Sequence, residues 1–376
     1  MQTINFLTAH FLPENSVGTN RVLSFANELS KFYQINIICL SEKGVIHKKE
    51  KVDYTKTITI YYINQQNYNG KSFLKRAYYE IIYSLKLIEV ANTLICDKTI
   101  VTIPFMFLIP LVGYKILGYK ILDIRDLQWE DLSEKNILNK LIKIVLTMIM
   151  VHGIKKFNYI TVTNPYESHI LSEQYGIDNV QILSNGIDKN RFEALSRKNI
   201  QPNPHFTVMY AGTLGIVQEL RVLLDAARYL KDVKFILIGD GSEAKNLQKY
   251  AKIHQLSNVT FPGKVTWEEL IEYYSNTSVL YAQLNEDCVS AMPSKLYEYT
   301  SVGLPIIYGG IGQAKSFVES LENAIVIKPN DTNVLIQAIE KCRKMSNTIS
   351  DKNRALIKEN YIREGIAIKI LDVICR

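Results

Sequence analysis

The sequence predicts an α/β protein made of two doubly wound domains. Short apolar runs alternate with amphipathic stretches, and this alternation occurs twice along the 376 residues. A chain of that length exceeds one typical hydrophobic core. Strand–helix alternation is typical of parallel sheets that helices cover on both faces.

The first run of elements begins close to the N-terminus. "TINFLTA" predicts a strand, "NRVLSFANELSKF" a helix with one apolar side, and "INIICL" the next strand. The stretch 100–117 is apolar over nearly the length of a membrane span, but it contains two prolines, a glycine and a lysine. We therefore expect a buried strand that runs into a buried helix rather than a transmembrane segment.

The second run of elements fills the C-terminal half. Its predicted strands are "FTVMYAG", "KFILIG", "NVTF", "SVLYA", "PIIYG" and "AIVIK". The helix "EELIEYYSN" is opened by a capping box, Thr266 with Glu269. The polar segment 194–206 holds two prolines and separates the runs, so we expect domains at 1–195 and 196–357, followed by a C-terminal helix at 358–376.

Composition narrows the class of protein. A hydrophobic content of 47% and a charged content of 22% are those of an ordinary soluble protein. The net charge of +7 favours anionic partners, but Lys and Arg are spread along the chain, which argues against a dedicated nucleic-acid binder. The five cysteines show no metal-ligand spacing, and the N-terminus lacks the order of a signal peptide, so a cytoplasmic location is expected.

Four loops that follow predicted strands are candidate ligand sites, because ligands of open parallel sheets bind at the carboxyl ends of strands. In the first loop, Gly18 allows close approach of the backbone and Arg21 opens the helix, although a plain connecting loop has the same pattern. In the second, Gly212 and Gly215 flank Thr213 and Leu214, and the amides of such a turn suit a phosphate.

The third loop carries a variant of the dinucleotide fingerprint, Gly239-x-Gly241-x-x-Ala244. A dinucleotide site also needs an acidic residue at the end of the next strand. That strand is "NVTFPG", which offers no carboxylate. We therefore do not expect NAD to bind here.

The fourth loop leads into "PSKLYEY". Ser294 suits a helix start, and Lys295 lies in the first turn, where the helix dipole disfavours a cation. A lysine at that point makes sense if an anion such as a diphosphate faces it. Glu298 lies three residues later on the same side and can reach two neighbouring hydroxyls, as on a ribose. The alternative is an exposed salt bridge between Lys295 and Glu298.

Six segments together resemble the retaining glycosyltransferases of family 4, which have the GT-B fold. They are "ILSNGIDKNRF", "FTVMYAGTLG" with "LLDAARYL", "FILIGDGSEAKNLQKYA", "NVTFPGKVTWEELIEYYSNTSVLYAQL", "PSKLYEYTSVGLPII" and "KPNDTNVLIQAI". The resemblance implies two Rossmann-like domains facing a cleft, with the acceptor on the first, the donor nucleotide on the second, and a C-terminal helix that crosses back to the first.

The resemblance also implies roles for individual residues. Glu298 would hold the ribose, and the segment around Lys264 and Val265 would line the base. Ser294 and Leu296 flank Lys295 in the same nucleotide-binding turn. Gly239 and Gly241 would form the floor of the cleft, and Gly18 would face the donor phosphates and the acceptor.

Three departures from the family pattern affect the diphosphate and the donor sugar. Thr213 and Gln218 stand where most members carry an arginine and a lysine, and Ser290 replaces the first glutamate of the Glu-x7-Glu pattern. Arg125-Asp126 stands where a His-Asp pair is often found. A subgroup resembling O-antigen and capsule transferases for N-acetylated deoxyhexosamines shows similar traits, which in this chain read "GTLGIVQ", "RDL" and "PSKLYE". This resemblance implies that Lys295, with Arg125 or Arg21, neutralises the phosphates.

The expected reaction is metal-independent transfer of a sugar from a UDP-N-acetyl-hexosamine or deoxyhexosamine, since no Asp-x-Asp motif occurs. Lys295 and Glu298 would be catalytic, with no cofactor beyond the donor. Asp126 would orient or deprotonate the acceptor hydroxyl, or else cap the following helix. A GT-B-fold UDP-sugar epimerase and a non-catalytic sugar-nucleotide binder are the alternatives.

The expected acceptor is a polyprenyl-diphosphate-linked glycan of O-antigen or capsule synthesis. The stretch 134–157 is apolar in its middle and basic toward its ends, at Lys135, Lys140, Lys143, Lys155 and Lys156. It could rest on an anionic leaflet at the inner face of the plasma membrane. A buried helix with basic ends is the alternative that the sequence favours.

Overall fold

The computed structural model describes residues 1–14, 16–41, 51–66, 73–130, 132, 136–197, 205–344 and 349–375. The chain forms two compact units. The N-terminal unit is Met1–Asn185 together with Arg363–Arg376, and the C-terminal unit is Gly186–Ile362.

The sheet of the N-terminal unit has the order β3-β4-β2-β1-β5-β6-β7-β8 within the described residues. Its strands are β1 (Thr3–Thr8), β2 (Gln34–Leu40), β3 (Lys51–Asp53), β4 (Ile58–Ile63), β5 (Lys98–Thr102), β6 (Tyr119–Asp123), β7 (Tyr159–Val162) and β8 (Val180–Ile182). All neighbours are parallel except β3, which runs antiparallel to β4 at the edge. Without the two edge strands, the order is that of a doubly wound nucleotide-binding sheet.

Helices cover both faces of this sheet. They are α1 (Val17–Leu29), α2 (Phe73–Thr93), α3 (Leu108–Lys115), α4 (Ile137–Ile154), α5 (Pro165–His169) and α14 (Arg363–Ile374), with a π-helical turn at Ile170–Gln174. The core under α2, α3 and α4 lies on one face, and the core under α1 and α14 on the other. The expectation for 100–117 is confirmed, because β5 runs into the mostly buried helix α3.

The sheet of the C-terminal unit has the order β11-β10-β9-β12-β13-β14, and its paired strands are parallel. Its strands are β9 (Thr207–Ala211), β10 (Lys234–Ile238), β11 (Val259–Gly263), β12 (Val279–Gln283), β13 (Ile306–Gly309) and β14 (Ala324–Ile327). Its helices are α6 (Lys189–Ser196), α7 (Arg221–Tyr229), α8 (Ala244–Ile253), α9 (Trp267–Ser275), α10 (Lys295–Val302), α11 (Gly312–Glu319), α12 (Thr332–Lys344) and α13 (Asp351–Asn360). The capping box predicted for α9 is present, with Thr266 and Glu269 bonded reciprocally.

The division between the units falls after Asn185, earlier than the predicted boundary at 195. Helix α6 belongs to the C-terminal unit because its Phe192 and Leu195 are buried in the core that contains α10. The polar stretch therefore follows α6 within that unit, and its residues 198–204 lie outside the described residues.

The C-terminal segment is two helices rather than one. Helix α13 ends at Asn360, and the backbone amide of Ile187 donates to the carbonyl of Tyr361 at 2.8 Å. Beyond this point the chain belongs to the N-terminal unit again, where α14 packs against α1.

Helix α4 is not buried, so the alternative that the sequence favoured for 134–157 is wrong. The helix is long and apolar enough to cross a membrane, yet only 17% of it is buried. Hydrophobic periodicity identifies a helix with a broad apolar surface but does not say whether the protein covers it. Lys135, one of the predicted basic ends, lies outside the described residues.

A buried ion pair joins α1 to the sheet of the N-terminal unit. Arg21 Nη2 lies 2.6 Å from Asp123 Oδ1, and Arg21 Nε donates to both carboxylate oxygens. Arg21 Nη1 donates to the carbonyl of Leu183 at 2.6 Å, and Asp123 accepts from Thr161 Oγ1 at 2.7 Å. The Arg21 and Asp123 side chains are 2% and 0% exposed, so water solvates neither charge. Each charge is stabilised by the other instead.

Replacing Asp123 by Ala should lower the free energy of unfolding by about 3–5 kcal/mol, because it leaves the Arg21 guanidinium buried without its counter-charge. Denaturant unfolding of the full chain, followed by circular dichroism, measures this change. The control is Glu193→Ala, which removes the exposed pair of Glu193 with Arg197 and should cost less than about 1 kcal/mol. Equal losses in the two variants would contradict the assignment.

Candidate functional site

The point where the strand order reverses places two loops side by side in the C-terminal unit. Strands β9 and β12 are neighbours, although a long stretch of chain separates them in sequence. The loop after β9 contains Gly212, and the chain after β12 leads into α10, whose first residue is Lys295. Such a switch point is where doubly wound sheets bind ligands.

Lys295 sits against an aromatic ring instead of a carboxylate. Its Nζ lies 3.6 Å from the centroid of the Tyr210 ring, which is itself fully buried in β9. Among the described residues, the ammonium has no ion pair or hydrogen bond. Burial lowers the pKa of Lys295 to about 7, and the charge of Glu298 opposes that shift. The side chain is thus a partly buried amine whose protonated form has no anionic partner among the described residues.

Three glycines make room for this arrangement. Gly212 has φ +141°, and a Cβ there would lie 2.7 Å from Lys295 Nζ. A Cβ at Gly239 would lie 1.9 Å from the Gly212 carbonyl oxygen, and one at Gly241 would lie 2.4 Å from that of Leu214. The two glycine loops are therefore packed backbone to backbone, and Gly239 and Gly241 support the loop over Lys295.

The first turn of α10 is built differently from the prediction. Ser294 stands at the N-cap but makes no capping hydrogen bond with its side chain. Leu296 is fully buried in the core, so its side chain cannot line a ligand site, and its amide donates to the carbonyl of Pro293 at 3.0 Å. The end of β9 is fixed to α10 by Tyr299, whose hydroxyl accepts from the amide of Ala211 at 2.8 Å.

Glu298 pairs with an arginine rather than with Lys295. Arg191 Nη1 lies 3.2 Å from Glu298 Oε1, and the Arg191 guanidinium carbon lies 4.6 Å from the centroid of the Trp267 ring. Tyr274 is buried beside this pair, and burial, helped by the Glu298 charge, raises the pKa of its hydroxyl well above its usual value. The alternative of a salt bridge between Lys295 and Glu298 is therefore wrong.

The other predicted donor-site residues are less constrained. Thr213 is exposed and its carbonyl accepts from the Tyr210 hydroxyl at 2.6 Å, while Gln218 Oε1 is buried next to Gly215. Lys264 is exposed and Val265 is partly buried against the core. The structure thus brings Gly212 and Lys295 together and leaves Lys264 on the surface.

In the N-terminal unit, Gly18 and Arg125 are in direct contact. A Cβ on Gly18 would lie 1.8 Å from Arg125 Nη1, so a larger residue at position 18 would require the guanidinium to move. Burial lowers the pKa of Arg125, against the charge of the adjacent Asp126. Arg125 and Asp126 follow β6 at the carboxyl edge of the sheet, and both are partly buried.

Two predictions for this unit are wrong for physical reasons. Arg21 cannot neutralise a phosphate, because its guanidinium is buried and donates to Asp123 and to the carbonyl of Leu183. Asp126 does not cap the following helix, because Asn136 is the N-cap of α4 and accepts from the amide of Asn139.

Three candidate functional residues, Arg191, Tyr210 and Glu167, are not predicted from the sequence. Arg191 and Tyr210 lie in the quoted segments "ILSNGIDKNRF" and "FTVMYAGTLG", but their partners are distant in sequence. Glu167 is fully buried near Asp126, and burial raises its pKa to about 8. Its carboxylate accepts from the amide of Thr163 at 2.8 Å. No local pattern marks a buried glutamate in a five-residue helix.

The described part of the chain contains no cluster of His, Cys, Asp or Glu placed to hold a metal ion.

Residues 191–363 match the glycosyl transferases group 1 family. No curated protein matches the chain by sequence.

Solved structures match the whole chain in fold. Sucrose-phosphate synthase from Thermosynechococcus elongatus is 14% identical over 100% of this chain and 98% of that chain, with a TM-score of 0.79. A glycosyltransferase from Rickettsia africae is 16% identical over 99% and 98%, with a TM-score of 0.69. Anabaena HepE in complex with UDP is 16% identical over 100% of both chains, with a TM-score of 0.70. With the family match, these likenesses show the GT-B glycosyltransferase fold.

Amine-reactive labelling at a series of pH values, followed by peptide mass spectrometry, should give Lys295 a midpoint near pH 7. In the unsubstituted protein, the Glu298 carboxylate raises the pKa of Lys295. Glu298→Gln removes that charge and should therefore move the midpoint to a lower pH. Lys352 is the internal control, since its hydrogen bond with Glu322 raises its pKa. Identical pH profiles for the two lysines would refute the environment described for Lys295.

Proposed function

We propose, from the membership of residues 191–363 in the glycosyl transferases group 1 family, that this glycosyltransferase moves a sugar from a nucleotide diphosphate sugar with retention of configuration. The donor diphosphate would bind at the mouth of α10, without a bridging metal ion. Anabaena HepE was solved with UDP and with UDP-glucose, which supports UDP as the nucleotide.

The single observation that carries this proposal is that the Lys295 ammonium has no anion within the described part of the chain. A diphosphate at the Gly212 loop would supply the missing counter-charge and raise the pKa of Lys295 above 7, so that the bound lysine is charged. The departing nucleotide gains negative charge as the glycosidic bond breaks, and a fixed cation stabilises that charge. One such pair at about 4 Å contributes up to about 4 kcal/mol at an effective dielectric near 20.

Glu298 is the proposed ribose ligand. Arg191 holds one of its carboxylate oxygens at 3.2 Å, which leaves the carboxylate oriented but still 21% exposed. A carboxylate in this state can accept hydrogen bonds from two neighbouring hydroxyls. Arg191 is therefore a positioning residue in the proposal.

The finer identity of the reaction is also proposed. The donor sugar is an N-acetyl-hexosamine or deoxyhexosamine, and the acceptor is a polyprenyl-diphosphate-linked glycan of O-antigen or capsule synthesis. Support comes from the resemblance of "GTLGIVQ", "RDL" and "PSKLYE" to the O-antigen and capsule subgroup. Arg125 and Asp126 are the proposed acceptor-side residues, with Asp126 orienting or deprotonating the acceptor hydroxyl. The protein would work in the cytoplasm, at the inner face of the plasma membrane.

The direct test is a panel of UDP-, GDP- and dTDP-sugars with a polyprenyl-diphosphate-sugar acceptor, analysed by mass spectrometry. Transfer gives an acceptor extended by one sugar. An epimerase would release epimerised nucleotide sugar without acceptor, and a non-catalytic binder would be protected against heat by UDP without turnover. Either of those outcomes would overturn the proposed function.

Lys295→Ala should lower kcat by about 100-fold or more, because one preorganised group facing developing charge contributes that much. The fold should survive, since Lys295 makes no hydrogen bond or ion pair among the described residues. Steady-state kinetics and thermal unfolding measure the two effects. Lys252→Ala, an exposed lysine on α8, is the control and should leave kcat unchanged. Unchanged kcat in the Lys295 variant would refute its role.

A further inference from the structure

Helix α4 presents its apolar side to solvent. A narrow side of the helix faces the protein, through Leu146, Met150, Gly153 and Ile154. The opposite side carries exposed large apolar residues at helical spacing: Ile137, Leu138, Leu141, Ile142, Ile144, Val145, Met148 and Ile149. Exposure reaches 82% at Ile137 and 67% at Met148. A contiguous apolar surface of this kind marks an interaction site.

A second apolar stripe lies on α2. Leu74, Tyr78, Ile81 and Leu85 are exposed and recur every three or four residues, so they share one side of that helix. Helices α2 and α4 both pack against α3, and all three bury their other sides in the same core. The outward stripes of α2 and α4 therefore belong to one helical layer, which we call the apolar face.

Close packing fixes α4 along the surface of its unit. A Cβ on Gly153 would lie 2.8 Å from Pro110 Cα in α3, and one on Gly113 would lie 3.0 Å from the Gly153 carbonyl oxygen. The two helices thus touch through glycine and backbone. A helix held in this way can lie in an interface, with one side in protein and the other in an apolar medium.

The rim of the apolar face is basic and aromatic. Lys115, Lys140, Lys155 and Lys156 are exposed, and α4 contains no Asp or Glu. Tyr114 stacks on His152 with ring centroids 6.0 Å apart, and Lys156 Nζ lies 5.4 Å from the Tyr114 centroid. Tyrosine and lysine beside an apolar surface are typical of residues at the level of lipid headgroups.

We propose that the apolar face docks on an anionic lipid bilayer, with α4 lying in the interface and the lysines contacting headgroup phosphates. The basic rim and the lack of carboxylates on α4 favour this occupant over a second copy of the chain, because two identical basic rims would repel each other. This membrane surface deepens the proposed function, because it is where the protein would meet a lipid-linked acceptor. Only that role of the surface rests on the proposed function.

The test is flotation of the full-length chain with vesicles of phosphatidylglycerol and phosphatidylcholine, or of phosphatidylcholine alone, without donor or acceptor. We expect binding to the anionic vesicles that weakens with salt. Leu141→Asp with Met148→Asp should lower the partition coefficient about tenfold or more, since each substitution removes apolar area and adds a charge. The matched control is Phe32→Asp with Ile253→Asp. Phe32 lies in the turn after α1 and Ile253 at the end of α8, and both are exposed apolar residues outside the apolar face.

A second variant covers the case in which the aspartates perturb folding. Lys140→Gln with Lys155→Gln and Lys156→Gln keeps the apolar side chains and should abolish the preference for anionic vesicles. Failure of the wild-type chain to float overturns the proposal. So does an apolar-face variant that changes a dimer into a monomer in light scattering without changing flotation. UDP binding, measured separately by thermal shift, reports on the proposed donor site and is independent of either result.

Discussion

The candidate donor site depends on one cation, Lys295, that has no counter-charge among the residues that the structure describes. Lys295 Nζ rests on the Tyr210 ring at 3.6 Å, and its environment holds its pKa near 7. The attraction of a cation to an aromatic face is weaker than its Coulomb attraction to a carboxylate in contact. The arrangement is therefore stable enough to position the ammonium, yet a ligand anion can still improve it.

The neighbouring structure preserves this state. Gly212 has no side chain to displace the ammonium, and Gly239 allows the loops to meet backbone to backbone. Arg191 pairs with Glu298 and so withholds the nearest carboxylate from Lys295. Were Glu298 free of Arg191, it could turn toward the lysine one helical turn away and close the pair internally.

Arg21 shows the opposite use of a cation. Its guanidinium donates to Asp123 and to the Leu183 carbonyl, and its side chain is 2% exposed. A buried cation that is paired with a carboxylate, such as Arg21, stabilises the fold. A partly buried cation that has no such pair among the described residues, such as Lys295, can bind an anionic ligand. Phosphate binding was predicted for Lys295 from its place in the first turn of a helix, and for Arg21 from the family resemblance. Only the contacts separate them.

Many elements of the fold were predictable because they have a local signal, such as the capping box of Thr266 and Glu269. The division between units was not, since it depends on which core takes up Phe192 and Leu195 rather than on loop composition. Among site residues, Lys295 was conspicuous because a cation in a first turn opposes the helix dipole. Tyr210 and Arg191 act through partners far away in sequence, and no spacing reveals them.

Within the part of the chain that the structure describes, helix α4 exposes an apolar surface without a partner, as Lys295 exposes a charge without one. Exposed apolar area in water is unfavourable by roughly 25 cal/mol per Å². Gly153 and Pro110 nevertheless dock α4 so closely that its broad apolar side is held outward. Both Lys295 and α4 thus carry a local free-energy cost in the isolated chain. An anion at the first, and a hydrocarbon boundary with anionic headgroups at the second, are the partners that would remove it.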